Sequence, residues 1–400
     1  MLHVKSLDES KMLLKKRFSE RCMSCETVPL EKSIDRILFA DILSKEHVPG
    51  FDRSSVDGYA VMASDTFGCS ESLPALLKNI GAVEMGEIPA FTITKGCCCY
   101  VPTGGAMPRG ADAMVMIEYT ETLPDGSIAV EKPSAPGAGI IYKGDDIKPG
   151  DIILKAGKRL LPKDIGALAA MGETALSVYK KPRIAVLSTG DELVLPDQAP
   201  SMGQIRDVNQ SLLLAALVKT GAEPVGYGII KDMKGKIKNA VAEAVDDYDM
   251  VLVSGGTSVG IKDVAEEVLG ELGEVLLHGI ALKPGKPTIA ADVHGKPVIW
   301  LPGHPAAAYF VYMLLVEPLL FGILGCTEGP RKESFTLMRT VPSNHGREEC
   351  MPVSISGGHA VPIPIKSGLI TTLSRADGFF IINRDSEGIK QGDRVNVILF

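Results

Sequence analysis

The sequence predicts a multidomain protein of the α/β and β classes: a central doubly wound α/β domain, a helical and β-rich N-terminal part, and a C-terminal β-barrel-like domain. Three observations predict it. At 400 residues the chain is too long for one core and should divide into two to four domains. Between about 182 and 326, short apolar runs alternate with amphipathic ones, the order that parallel strands with crossover helices require. At 47–149, and again from 331 onward, the helical period gives way to short alternating runs broken by Gly and Pro.

From the N-terminus, Ser6 and Glu9 fit a capping box that introduces the helical pattern Met12, Leu13, Phe18. A second helix is expected from Pro29, where Leu30, Ile34, Ile37 and Leu38 recur at helical spacing. Residues 47–149 read as β-rich, and 150–157 continue as a strand and turn. Residues 162–172 read as a helix with Gly172 at its C′ position. If that helix rejoins the N-terminal ones, the β-rich part is an insertion.

The α/β alternation follows. Residues 183–188 (RIAVLS) are a strand, and 209–220 a helix with Asn209 as N-cap and Gly221 as its stop. A second strand at 222–230, a helix at 234–245, a third strand at 250–254 (MVLVS) and a helix at 263–272 come next. The series closes with a strand at 297–301 (PVIWL) and a long helix at 305–324. Continuous apolar strands between helices suit a sheet covered on both faces. From 331 to 400, runs such as 334–341 and 394–399 suggest a small β-barrel or sandwich.

Composition excludes several classes. A net charge of −7 gives no polyanion-binding surface, so nucleic acid is not an expected partner. The start lacks the basic end and apolar run of a secretory signal, which points to a cytoplasmic protein. The apolar segment 306–324 contains Glu317, Pro318 and Gly322, so it reads as a buried core helix rather than a membrane span. Among eight cysteines, Cys22 and Cys25 have no matching second pair, and Cys97, Cys98 and Cys99 lack ligand spacing. They read as reduced, packed thiols.

In an open parallel sheet the loops after the strands line one crevice. Three such loops carry Ser188, Thr189, Gly190, Asp191 and Glu192; then Ser254, Gly255, Gly256, Ser258 and Gly260; then Pro302, Gly303, His304 and Pro305. Glycine lets backbone N–H groups approach an anion, a neighbouring hydroxyl adds a donor, and a following helix adds its positive end. Three loops in register therefore predict a site for a phosphate-bearing small molecule. Asp191, Glu192 and Asp263 are candidates for holding a hard cation such as Mg²⁺, with N-capping the other role for Asp263. Lys283 and Lys286, on the proline-stiffened turn ALKPGKP, are placed to meet one phosphate or oxyanion, or to stay solvated. Outside this domain, 49–61 packs Asp52, Arg53, Ser54, Ser55 and Asp57 together, and 102–112 is rich in Gly and Pro. Composition does not choose between a turn network and a polar site there.

Taken in order, the segments PGFDRSSVDGYAV, PTGGAMPRGADAMVM, KGDDIKPGD, STGDEL, SGGTSVG, ALKPGKP and LPGHPAAA resemble the MoeA family, the molybdopterin molybdenumtransferases of molybdenum-cofactor synthesis. The resemblance implies four domains: a helical one of residues 1–46 and 150–181, a β-rich one of 47–149, an α/β, molybdopterin- and nucleotide-binding one of 182–326, and a β-barrel-like one of 327–400. It implies a homodimer, with each active site between the α/β domain of one protomer and the first two domains of the other. The implied reaction takes adenylylated molybdopterin and molybdate to molybdenum cofactor and AMP, with a divalent cation, normally Mg²⁺. Contact with the adenylyltransferase or with molybdoenzyme acceptors is implied as well.

Carried onto this sequence, the resemblance puts Asp57 and Thr103 by the pterin and the insertion site, and gives Asp57, Glu192 and Asp263 to the cation. Glu192, Asp232 and Asp263 would bind substrate or position that cation, and Lys283 and Lys286 would neutralise phosphate or molybdate. Asp146, rather than Asp145, is assigned as the functional acid of KGDDI. The remaining glycine-loop residues would bind substrate. His304 stands where Asn is common in the family, and Gly105 where Ala is common. Two alternatives are a molybdopterin adenylyltransferase, which has no need of the SSVDGYAV and PTGG segments, and a non-catalytic scaffold, which would have lost its crevice acids. Asp57, Glu192, Asp232 and Asp263 are all present.

Overall fold

The first helix forms where its capping box predicts. The Ser6 hydroxyl accepts the Glu9 N–H, the Glu9 carboxylate accepts the Ser6 N–H at 2.8 Å, and the helix runs Leu7–Arg17. These relations come from a computed structural model that describes residues 4–255, 259–364 and 371–400, without the side chains of 259–263. The chain divides into two compact units, one of Met1–Ala40, Ala156–Leu161 and Ala175–Phe400, the other of Asp41–Lys155 and Pro162–Thr174.

The second helix expected from Pro29 does not form. Cys25–Pro29 is a strand paired antiparallel with Ala175–Tyr179, and only Leu30–Lys32 make a single 3₁₀ turn. Of the four residues in that pattern Leu30, Ile37 and Leu38 are buried and Ile34 is exposed. Their backbone bonds, however, go to remote chain, with Leu38 N–H donating to the Lys158 carbonyl and Phe39 N–H to that of Ser177. Tertiary pairing overrides a pattern only nine residues long.

The first unit is built on six strands: β1 (Arg183–Thr189), β2 (Glu223–Ile230), β3 (Met250–Gly255), β4 (Glu274–His278), β5 (Ile289–Val293) and β6 (Lys296–Leu301). Their order is 2-1-3-6-5-4, parallel from β2 through β1 and β3 to β6, with β5 and β4 antiparallel to their neighbours. The sheet is therefore mixed rather than wholly parallel. The sequence reading passed over β4 and β5; the signal for β5 was the two-residue turn His294–Gly295, both at positive φ (54° and 77°), which joins it to β6 as a hairpin. Along β1, Ile184 and Val186 enter one core while Ala185 and Leu187 enter the other, so both faces are covered.

Three helix expectations need correction. Asn209–Thr220 ends at Gly221 (φ +99°) as foreseen, but its start is capped by the Asp207 carboxylate, which accepts the Gln210 N–H at 3.1 Å. Asn209 is not the cap. The helix expected at Asp263 begins at Val259, so Asp263 lies a turn inside it and cannot cap it. The expected unbroken helix at 305–324 is α over Pro305–Val311, π over Tyr312–Val316 and α over Glu317–Ile323. Pro318 has no N–H for the carbonyl four residues back, and the wider turn before it absorbs that defect. Long and apolar enough to cross a membrane, this segment is mostly buried in the core, as its internal charge and proline suggested.

At the C-terminus, Glu348–Ser356 pairs with His359–Pro362, which pairs with Lys332–Leu337, then Arg394–Leu399, then Gly378–Ile382, which pairs back to Glu348–Ser356. This closed ring makes the domain a barrel rather than a sandwich, filled by Leu337, Val353, Phe380, Val395 and Val397.

The second unit carries a six-stranded sheet in the order Ala113–Met116, Gly58–Val61, Cys97–Val101, Ala75–Ala82, Ser127–Val130, Thr120–Thr122. Cys98 and Cys99 lie buried on its interior strand, where burial pushes both thiols up to about 12 and keeps them inert. The helix Pro162–Ala170 belongs to this unit. It closes with a Schellman motif in which Glu173 N–H reaches the Leu168 carbonyl and Gly172 N–H that of Ala169.

Candidate functional site

Strand order decides which loops meet. Because β2, β1, β3 and β6 are adjacent and parallel, the segments after them share one edge: Asp232 after β2, Gly190 to Glu192 after β1, Gly255 at the end of β3, and Pro302 to Pro305 after β6. The chain reverses direction of winding between β1 and β3, where open α/β sheets form their ligand crevice.

Close approach explains the glycines. A Cβ on Gly255 (φ +141°) would stand 2.1 Å from the Thr189 carbonyl oxygen, and the Gly255 carbonyl takes the Trp300 indole N–H at 3.0 Å. A Cβ on Gly190 (φ +157°) would meet the Glu192 carboxylate at 2.8 Å. Gly256 and Ser258 lie outside the described residues, and of Gly260 and Asp263 only the backbone is described.

Polar groups collect at this edge without partners. The Ser188 and Thr189 hydroxyls, the Asn209 Oδ1 and the Asp232 Oδ1 are buried and find no hydrogen bond among the described residues. Leaving such a group unsatisfied costs about 1–3 kcal/mol, and four at one edge make it the candidate place for a polar ligand. Asp232 donates its N–H to the Asp191 carboxylate at 3.4 Å. Burial, then the charges of Asp191 and Glu192, raise the Asp232 carboxyl above the ordinary range. Carboxylates in this state suit a hard cation, whose charge would relieve the repulsion. Among the described residues, no three His, Cys, Asp or Glu side chains form a metal cluster.

Asn209 is the residue sequence reasoning placed wrongly. Its Nδ2 donates to the Ser254 hydroxyl at 2.6 Å and to the Gly303 carbonyl at 2.8 Å, tying the end of β3 to the loop after β6. The signal was Asp207, two residues earlier: only one of the two could cap the helix, which left the other for the crevice.

Lys283 and Lys286 occupy the turn between β4 and β5, at the same sheet edge, and both are exposed. Lys283 is already engaged, with Glu349 at 2.9 Å. Among the described residues the Lys286 ammonium forms no such ion pair.

In the second unit three motifs converge. Thr103 N–H donates to the Asp57 carboxylate at 2.8 Å, bringing the two expected residues together at an exposed position. Asp52 accepts the Lys143 N–H at 2.7 Å through its side chain and the Met107 N–H at 2.9 Å through its carbonyl. Ser54 and the Gly104–Gly105 turn exchange backbone bonds of 2.8 and 2.9 Å. Segments that composition left open are thus a turn network that positions an acid. In KGDDI, Asp145 closes its own turn by accepting the Tyr142 N–H, while Asp146 is exposed with a carboxylate not used that way.

Comparison with known proteins identifies the family. Residues 5–172 match the MoeA N-terminal region (domains I and II), 185–322 a probable molybdopterin-binding domain, and 335–400 the MoeA C-terminal region (domain IV). Molybdopterin molybdenumtransferase of Staphylococcus aureus (strain COL) is 32% identical over 384 residues, covering 94% of this chain and 91% of that one. The Bacillus subtilis (strain 168) protein of the same name is 31% identical over 393 residues, covering 94% and 89%. Two crystal structures of Pyrococcus horikoshii molybdopterin biosynthesis MoeA proteins superpose on it. One has a TM-score of 0.88 at 30% identity, covering 99% and 100% of the two chains; the other has 0.81 at 40%, covering 99% of each.

Proposed function

The chain belongs to the MoeA family of molybdenum-cofactor biosynthesis, and from that premise we propose that it inserts molybdenum from molybdate into adenylylated molybdopterin, releasing AMP in a divalent-cation-dependent reaction. The observation that carries this reading is the crevice edge, where glycine loops suited to phosphate stand beside buried hydroxyl, amide and carboxyl oxygens that lack partners. Cleaving an adenylyl phosphate needs charge neutralisation and positioning more than a strong nucleophile from the protein. Ser188, Thr189, Gly190, Ser254 and Gly255 bind the substrate, together with the loop of Pro302, Gly303 and Pro305. Lys286 offsets phosphate or molybdate charge, and Lys283 does so if it leaves Glu349. Glu192 and Asp232, with Asp263 and Asp57, would hold Mg²⁺, which when bound neutralises phosphate charge.

Asp57, fixed by the Thr103 N–H, and Asp146 act on the pterin side. Under the four-domain division, the site is completed across a homodimer by the first two domains of the other protomer, in the cytoplasm. An adenylyltransferase has no use for the ordered Asp57–Thr103 pair, and a scaffold has no use for crowded crevice acids.

The test is Asp57→Ala in the purified protein. AMP release should fall at least about a hundredfold, the range for losing one preorganised polar contact in a reacting site. Release at the wild-type rate would refute the assignment of Asp57.

A further inference from the structure

Asn209 has a buried acceptor with no partner among the described residues at the crevice edge. Its Nδ2 gives one hydrogen to Ser254 and the other to Gly303, so the amide has no donor left. The Gly303 carbonyl can only accept, which fixes the amide's orientation: the atom facing it is nitrogen, and the remaining atom is oxygen. That Oδ1 is buried, in a residue 7% exposed, and finds no hydrogen bond among the described residues. Both amide hydrogens are anchored to different loops and the residue opens the helix Asn209–Thr220, so the oxygen is held in one direction.

From this we infer that Asn209 is the specificity-determining acceptor of the crevice: its Oδ1 takes an N–H from the heterocycle of the substrate and distinguishes that end from the phosphate end. A phosphate oxygen offers no proton at neutral pH and would repel a carbonyl oxygen. The amino group and ring N–H of a pterin offer donors. The inference rests on the proposed molybdopterin substrate and adds to it which crevice residue reads the ring. Replacing Asn209 by leucine removes the acceptor and keeps the bulk, so ring binding should suffer more than phosphate binding. A buried acceptor's lost bond changes affinity roughly tenfold or more.

The experiment uses the full-length protein and two probes, 6-hydroxymethylpterin titrated by its fluorescence and pyrophosphate, which has no ring, titrated by calorimetry, on wild type, Asn209→Leu and Asn209→Asp. Both variants lose the two tethers, so the reading is the difference between them: pterin affinity at least tenfold weaker in Asn209→Leu than in Asn209→Asp, with pyrophosphate affinity no weaker in Asn209→Leu than in Asn209→Asp. Asn209→Asp keeps acceptor oxygens at this position, which is what separates it from Asn209→Leu. Equal pterin affinity in wild type and Asn209→Leu overturns this inference alone. Equal pterin affinity in Asn209→Leu and Asn209→Asp also overturns it, because the residue would then only hold the two segments together. A wild-type protein that binds neither probe overturns the inference and the functional reading beneath it.

Discussion

Gly255 and Asp232 show how far single residues can be read. Glycine after an apolar strand suggested room for an anion, but the reason for glycine here is the Thr189 carbonyl, 2.1 Å from where a Cβ would stand, at a φ of +141°. Gly255→Ala should therefore destabilise the protein by about 2 kcal/mol or more, measured by urea unfolding, and abolish AMP release. Asp232 carries a different cost. Its carboxyl is raised by burial and by Asp191 and Glu192, so the folded protein holds that proton more tightly than the unfolded chain. Its contribution to stability is fully present below the unfolded value of 3.8 and is lost as pH rises through the raised one. Asp232→Asn should melt higher than wild type at pH 7, with the difference closing towards pH 4, while AMP release falls. An unchanged melting temperature at both pH values would contradict this. The identities of these residues were legible in the sequence. Their crowding was not, because Asp191 and Glu192 follow β1 while Asp232, 41 residues after Asp191, follows β2, and only the pairing of those two strands brings them together.

Elements were legible where local chemistry sufficed. The capping box of the first helix, Gly172 in its Schellman motif and Gly221 at its helix end all depend on residues within a few positions. Ser6→Ala should cost about 1 kcal/mol in urea unfolding without affecting activity, as the loss of one exposed N-cap. Elements were misread where remote chain decided. The apolar spacing from Leu30 to Leu38 serves a strand partner at 175–179 rather than a helix, and β4 and β5 needed the His294–Gly295 hairpin to declare themselves. Pro318 gave a local sign of irregularity that the apolar run around it concealed. Pro318→Ala should let the π turn relax toward α-helix, detectable as a small change in melting temperature with no loss of AMP release.

At the scale of the molecule, the α/β and β classes could be read from alternation alone, but the combination of motifs identified the family. Segments such as SSVDGYAV and STGDEL are individually weak, and their meaning came from occurring together in this order along 400 residues. The proposed homodimer makes a prediction of its own. Asp57→Ala and Asp232→Asn protomers, each impaired alone, should regain part of the wild-type activity when mixed and allowed to exchange, because one site of each mixed dimer then carries neither change. No recovery in mixed dimers of proven composition would rule out sites shared between protomers.

The central claim is that crevice and polar loops serve molybdenum insertion, and the most direct measurement is AMP release from adenylylated molybdopterin with molybdate and Mg²⁺ supplied separately and together. The account predicts rapid release only when both are present. Equal release with and without molybdate would contradict it.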